Sequence, residues 1–187
     1  MILGKNHDTI SGTETKAALS WGFLNSIMDD VMNDTSTSVG GWMGEDGDFY
    51  ESSLDETDGV LTHGCGMRKF VAGLLNCFPT IIKDNIKTVD KLYDDSNQIQ
   101  RCKDKLWILS NIELGFTLGS STPNGQGEQY EYLHSNVSRR RDNGGSYVSY
   151  WTRSRYDYTF SSVTFDGSRI ESKRANNIAG VVLGFCI

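Results

Sequence analysis

Residues 144–187 read GGSYVSYWTRSRYDYTFSSVTFDGSRIESKRANNIAGVVLGFCI, and this stretch decides the fold. Apolar residues recur at strand-like intervals: Trp151, Val163, Phe165, Ile170, then Val181, Val182, Leu183, Phe185 and Ile187. Asp166-Gly167 follows an alternating run, which signals a hairpin joining Ser162–Phe165 to Ser168–Ile170. Between the apolar positions lie Tyr, Ser, Arg, Thr, Asp and Asn. Tyr147, Tyr150, Tyr156 and Tyr158 are half of the chain's eight tyrosines. Tyrosine offers wide contact area with few rotatable bonds, and Ser and Asn add adaptable hydrogen bonds, so the mixture reads as a ligand-binding face. Strand residues two apart share a face, which sets Ser162 and Thr164 opposite Val163 and Phe165. The expected exposed surface is Tyr147, Ser149, Arg155, Tyr156, Asp157, Tyr158, Ser162, Thr164, Arg169 and Asn176. The alternative is a Ser/Thr/Tyr-rich strand pair that only faces water.

Working outward, Leu106–Leu109 is a buried strand, and Ser110 with Glu113 three residues on has the spacing of a capping box. Met67–Phe78 is the clearest helix, with Phe70, Leu74, Leu75 and Phe78 on one face, and Ile81–Ile86 follows as a second. Met1–Ile10, Thr88–Leu92, Tyr130–Leu133, Tyr147–Thr152 and Val181–Phe185 read as strands. Lys16–Met32 fits either a helix with face Ala17, Trp21, Leu24, Met28 and Val31, or a strand over Ala18–Leu24. Tyr93–Asp104, Gly119–Glu128 and Ser138-Arg139-Arg140-Arg141 read as solvated loops. Helices in the first half and antiparallel strands in the second make an α+β chain, and 187 residues fit a single domain, 1–187.

The net charge of −6 argues against non-specific nucleic-acid binding, which needs a basic surface. No apolar run approaches the roughly 18 residues of a membrane span, and MILGKNHDTI lacks the apolar segment of a signal peptide. Cys65, Cys77, Cys102 and Cys186 form no CxxC pair and read as reduced, mostly buried side chains. The stretch 43–66 is an acidic, Gly-rich insertion. Its Glu45, Asp46, Asp48, Glu51, Asp55, Glu56 and Asp58 invite a calcium reading, but the spacing of an EF-hand loop is absent. His7, His63 and His134 are isolated, and His63-Gly64-Cys65 is too tight to pair a base with a thiol. The sequence therefore predicts no catalytic set, no metal and no cofactor.

The ordered segments NHD, TSTSVGGW, MRKFVAGLLNCFPT, IKTVDKLY, DKLWILS-x-x-E, GQGEQYEYL, YWTRS, the DGS turn and the terminal FCI resemble an uncharacterised domain family of gut bacteria, their phages and prophages. Trp42 matches its GGW tryptophan, and Met67, Arg68, Leu75 and Asn76 match its LR…LN helix. Asp104–Trp107 match DKLW. Trp151, Arg153 and Ser154 match WWLRSP, and Phe185-Cys186-Ile187 match the end of GVRPAFCI. Arg155 stands where that pattern has Pro, and Val182-Leu183-Gly184 where it has Arg-Pro-Ala.

This resemblance implies a C-type-lectin-like fold, related to formylglycine-generating-enzyme domains and to the variable proteins of diversity-generating retroelements. It turns Ala18–Leu24 to strand. It implies a non-enzymatic receptor-binding module at a phage tail-fibre tip in the virion, with a host cell-surface protein or glycan and other tail proteins as partners. It further implies a homo-oligomer, a trimer by analogy. A bacterial surface or secreted adhesin is the runner-up. A formylglycine-generating-type oxidase is the enzymatic alternative, but its C-terminal cysteine pair is missing, Cys186 standing alone there.

Overall fold

The computed structural model describes residues 1–34, 36, 41–44, 56–57, 60–61, 64–95, 98–117, 126–156 and 158–187. Most of the acidic 43–66 stretch, His63, most of Gly119–Glu128 and Asp157 lie outside them.

The strands are β1 (Ile2–Lys5), β2 (Leu19–Gly22), β3 (Asp29–Val31), β4 (Glu56–Thr57), β5 (Val60–Leu61), β6 (Val89–Asp95), β7 (Gln98–Asp104), β8 (Leu106–Ile108), β9 (Tyr150–Tyr156), β10 (Thr159–Val163), β11 (Ile170–Lys173), β12 (Ile178–Gly180) and β13 (Leu183–Cys186). Among the described residues three short α-helices accompany them: α1 (Gly66–Gly73), α2 (Thr80–Lys83) and α3 (Asn136–Arg139). The architecture is α+β and mostly sheet. Strands occupy the first half as well as the second.

One sheet runs β1-β2-β13-β8, so the last strand sits inside it, paired on both edges. Gly184 lies opposite Gly22 and Trp107, where the Trp107 indole crosses the strand. A Cβ at Gly184 would come within 2.8 Å of Trp107 Nε1, so the position has room only for hydrogen. The second sheet runs β11-β10-β9-β12-β3, with β9 and β12 parallel and its other pairs antiparallel. Asp166-Gly167 turns β10 into β11 as the sequence predicts. Gly167 has φ +70°, and a Cβ there would strike the Asn136 carbonyl at 2.3 Å, so the turn needs glycine on both counts.

The core forms two clusters. One holds Trp42, Met67, Val71, Leu75, Trp151, Phe160 and Val181. The other holds Leu3, Trp107, Leu109, Tyr130, Tyr150, Val163 and Val182. Phe23 and Phe185 pack against both. Phe165, grouped by its spacing with the apolar positions of the C-terminal stretch, is outside both clusters: β10 ends at Val163, and Phe165 opens the turn, 61% exposed.

Other expectations are corrected as well. The helix over Met67–Phe78 is α1 followed by a 3₁₀ turn, Leu74–Cys77. Leu19–Gly22 resolves the ambiguous segment as strand. Tyr93–Asp104 is not a loop: β6 and β7 pair in register from Val89↔Asp104 to Asp95↔Gln98. Tyr130–Leu133 is a turn, closed by Leu133 N–H to the Tyr130 carbonyl. Ser138–Arg141 is not a solvated loop. Ser135 caps α3 through a reciprocal box with Ser138, and Arg139 and Arg141 are buried.

Candidate recognition surface

The C-terminal strands are held from beneath by buried ion pairs. The Arg153 guanidinium forks onto Glu113 through Nη1 and Nη2, at 2.7 and 2.8 Å, and donates to the Leu92 and Ile108 carbonyls. Glu113 accepts in turn from the Ser110 N–H, completing the box the sequence predicts, with Ser110 Oγ accepting from Glu113 N–H. Lys91 Nζ bridges Glu113 and Asp8, both at 2.6 Å, and lies 4.2 Å from the centre of the Trp107 ring. Asp8 also accepts from Tyr130 Oη at 2.9 Å and from Ser20. A chain of alternating charges, Asp8–Lys91–Glu113–Arg153, therefore joins the segment after β1, β6, the turn after β8, and β9.

A second frame surrounds Asp104. Arg68 donates to it through Nε and Nη2 (3.0 and 2.7 Å), and Trp42 Nε1 and Cys102 Sγ do so as well. A neutral network completes the scaffold. Thr152 Oγ1 donates to Asn111 Oδ1 (2.7 Å), Asn111 Nδ2 to Ser161 Oγ (2.9 Å), Asn111 N–H to Ser154 Oγ, and Ser154 Oγ to Gln126 Oε1.

These environments leave little poised reactivity. Burial would raise the Asp8 carboxyl, but Lys91 and its hydrogen bonds hold it well below its ordinary 3.8. Burial opposes ionisation of Glu113 too, and Arg153 and Lys91 overcome it. Burial pushes the thiol of Cys65 up to about 11, that of Cys186 up to about 12, and that of Cys102 well above its ordinary value. A thiol is reactive as the thiolate, so these three are inert at neutral pH. Cys77 is the exposed cysteine. Among the described residues no cluster of three His, Cys, Asp or Glu side chains is placed to hold a metal.

On this frame the expected surface residues separate. Tyr147 (54%), Tyr156 (44%) and Tyr158 (76%) are exposed, as are Arg169 and Asn176, and Ser149 is half-buried. Three are corrected. Arg155 is 6% exposed, with its side chain against Gly41. Ser162 is buried, because β10 is covered on both faces and alternation no longer sorts polar from apolar. Thr164 is buried because its hydroxyl is spent inside the turn, on Asp166 Oδ1 (2.7 Å) and the Arg169 carbonyl (3.1 Å). The same turn holds the Asp166 carboxyl down to about 2 through bonds from Thr164 and Ser168. Asp157 lies outside the described residues.

The exposed residues do not form one patch. Tyr156 pairs with Thr159 at the tip of the β9–β10 hairpin, beside Tyr158. Phe165 and Arg169 belong to the turn at the opposite end, past Val163↔Tyr150. Six strand steps at about 3.3 Å separate the two ends by roughly 20 Å. The far end also carries Tyr147, whose ring lies 5.3 Å from the Arg140 guanidinium. Arg140 is itself tied to the Asp166 carbonyl. Phe165 and Arg140 were missed in the sequence. The Gly167 contact with Asn136 and the Arg140 bond bring α3 against the turn, a tertiary meeting that no local pattern announces.

The fold and its surface define an α+β, sheet-dominated chain. Its motif residues Asp8, Arg68, Asp104, Glu113, Arg153 and Ser154 are internal, and Tyr156 and Tyr158 stand exposed at one hairpin end and Phe165 at the other. The chain belongs to the domain family DUF6273, a domain of unknown function, which it matches over residues 22–187. No curated protein and no solved structure matches it.

Proposed function

We propose that this chain is a non-enzymatic recognition module of C-type-lectin-like fold. In this reading it is a receptor-binding protein of a phage tail fibre that contacts the host cell surface through its C-terminal hairpins. The observation that carries the reading is the exposure of Tyr147, Tyr156, Tyr158 and Phe165 at the ends of β9 and β10, whose side chains from Tyr150 to Arg155 and from Phe160 to Val163 are buried. Exposed aromatics on a rigid support are the residues that dominate protein and glycan interfaces, because little side-chain entropy is lost when they are covered. The paired carboxylates and inert thiols of the interior support binding over catalysis. The resemblance of the ordered motifs to phage and prophage domains supports the location on a tail fibre. A homo-oligomer, trimeric by the same analogy, would multiply weak contacts.

The test is binding of the purified chain to a panel of bacterial cells, read by flow cytometry. The Tyr156→Ser/Tyr158→Ser double variant should lose cell binding while keeping its melting temperature. Full binding by this variant and by Tyr147→Ser/Phe165→Ser would refute the assignment of the face. Copper-dependent oxidation of a cysteine peptide by the wild-type chain would refute the non-enzymatic reading.

A further inference from the structure

Among the described residues three arginine side chains are fully buried: Arg68, Arg141 and Arg153. Two of them are neutralised inside the chain. Arg68 turns Nε and Nη2 onto Asp104, and Arg153 turns Nη1 and Nη2 onto Glu113. Arg141 has no such partner. Its Nη1 donates to the Ser138 and Arg140 carbonyls, both at 2.8 Å. Its Nε and Nη2 are buried and make no hydrogen bond within the chain.

The two unpaired nitrogens form one edge of the guanidinium. Their N–H groups make the parallel fork that matches the two oxygens of a carboxylate. Arg68 presents the same pair of nitrogens to Asp104. The carboxylates nearest Arg141 in the chain and in the adjoining turn are taken by other donors. Asp142 Oδ1 accepts from the Gly145 N–H at 2.7 Å, and Asp166 Oδ1 accepts from Thr164 and Ser168. Arg139 and Arg140 rest on carbonyls and an amide, so neither draws a carboxylate toward Arg141.

A guanidinium keeps its proton at neutral pH even where burial works against its charge, as it does here. The Tyr150 ring lies 5.6 Å from Arg141 Cζ and softens that charge without cancelling it. An unpaired buried charge is costly. Water would satisfy the two N–H groups and leave the charge. A group with two coplanar oxygens and one negative charge satisfies both, whereas a divalent oxyanion would leave a negative charge in its place. Arg141 is only 1% exposed, so the occupant is small. Tyr132, whose phenol lies close enough to act on the Arg141 charge, is 45% exposed and connects this surrounding to solvent.

We propose that Arg141 binds a small free monocarboxylate, of the size of formate or acetate, in a bidentate pair on Nε and Nη2. The anion completes at Arg141 the pairing that Asp104 and Glu113 complete at the other two arginines. It binds the folded chain alone and so stabilises it. The site is independent of the recognition surface on the C-terminal hairpins.

The test is an NMR titration of the intact chain, read at the Arg141 Nε–H signal. Sodium formate or acetate replaces sodium chloride at constant ionic strength, and sodium sulfate is the divalent control. A saturable downfield shift of that signal with formate or acetate is the expected result, with a melting temperature that rises over the same concentrations. Arg141→Lys keeps the charge without the fork and should weaken the melting response about tenfold or more, since a charge-assisted hydrogen bond is lost. Arg141→Met should abolish it, leaving only the unsaturable salt effect. Should either variant fail to fold, the wild-type Nε–H signal still decides. The proposal is overturned if that signal shows no saturable response to either carboxylate. It is also overturned if sulfate or chloride shifts it as strongly, or if Arg141→Met keeps the saturable rise in melting temperature.

Discussion

Replacing Glu113 with Gln tests the buried frame directly. The four charged side chains Asp8, Lys91, Glu113 and Arg153 sum to zero and are all almost fully buried. Glutamine keeps the shape but removes one negative charge. It also turns an NH₂ donor toward Arg153 or Lys91, which are donors themselves. The interior is left with one uncompensated positive charge. Removing one partner of a buried pair costs about 3–5 kcal/mol, a large share of the roughly 5–15 kcal/mol that holds a domain together. For a chain of this size that corresponds to a fall of roughly 6–20 °C in melting temperature.

The assay is urea denaturation followed by tryptophan fluorescence, since Trp42, Trp107 and Trp151 are buried and Trp107 lies against Lys91 of the network. The double variant Glu113→Met/Arg153→Met restores neutrality and leaves the Asp8–Lys91 pair, so it should recover part of the loss. A Glu113→Gln protein within about 0.5 kcal/mol of wild type, the range of an ordinary surface substitution, would refute this account. So would a double variant that loses the full sum of the two single losses.

The pH dependence follows from the same groups. Asp8 and Glu113 titrate below their ordinary 3.8 and 4.5 in the folded chain, so the unfolded chain binds the protons first. Stability should be full above about pH 4.5 and fall progressively as the pH drops below it, measured by melting across an acid series. Trp151→Ala should cost about 3–5 kcal/mol in the same urea assay, because the indole is fully buried and its Nε1 donates to the Asp30 carbonyl. Tyr156→Ser/Tyr158→Ser should stay within about 0.5 kcal/mol of wild type, as exposed positions do. Iodoacetamide at neutral pH should label Cys77 in the folded chain well ahead of Cys65, Cys102 and Cys186, as counted by mass spectrometry.

Where a local signal suffices, such as an amphipathic face, an unbroken apolar run, a turn dipeptide or a capping spacing, the sequence is legible. The α1 helix, the strand Leu106–Ile108, the Asp166-Gly167 hairpin and the Ser110/Glu113 box all follow from local pattern. The β6–β7 hairpin is hidden because its inward positions carry Lys91, Cys102 and Asp104, which imitate a solvated loop until their partners come from elsewhere. Ser138–Arg141 misleads in the same way: Arg139 donates to the Leu114 carbonyl, and Arg141 lies over the Tyr150 ring. Arg155 and Ser162 were expected outside because alternation assumes a wet face, and β9 and β10 are covered on both sides, while Thr164 is drawn in by its bonds within the Asp166 turn.

The motif residues themselves, Asp8, Trp42, Arg68, Asp104, Trp107, Glu113, Arg153 and Ser154, are buried and bonded largely to one another. The signature therefore describes the scaffold. The exposed tyrosines Tyr147, Tyr156 and Tyr158 of the recognition surface lie between its motifs.

The position of β13 inside its sheet has a consequence for how the chain is made. Its neighbour β2 is about 160 residues earlier, so on a ribosome β1 and β2 emerge long before the strand that covers their open edge. Contacts across such separations slow folding. Until residues 183–186 arrive, the inner edge of β2 is an unpaired strand able to pair with another chain. Synthesis of this protein should therefore be sensitive to chaperone supply, and a transcript cut before Leu183 should yield aggregate in place of a shortened folded product.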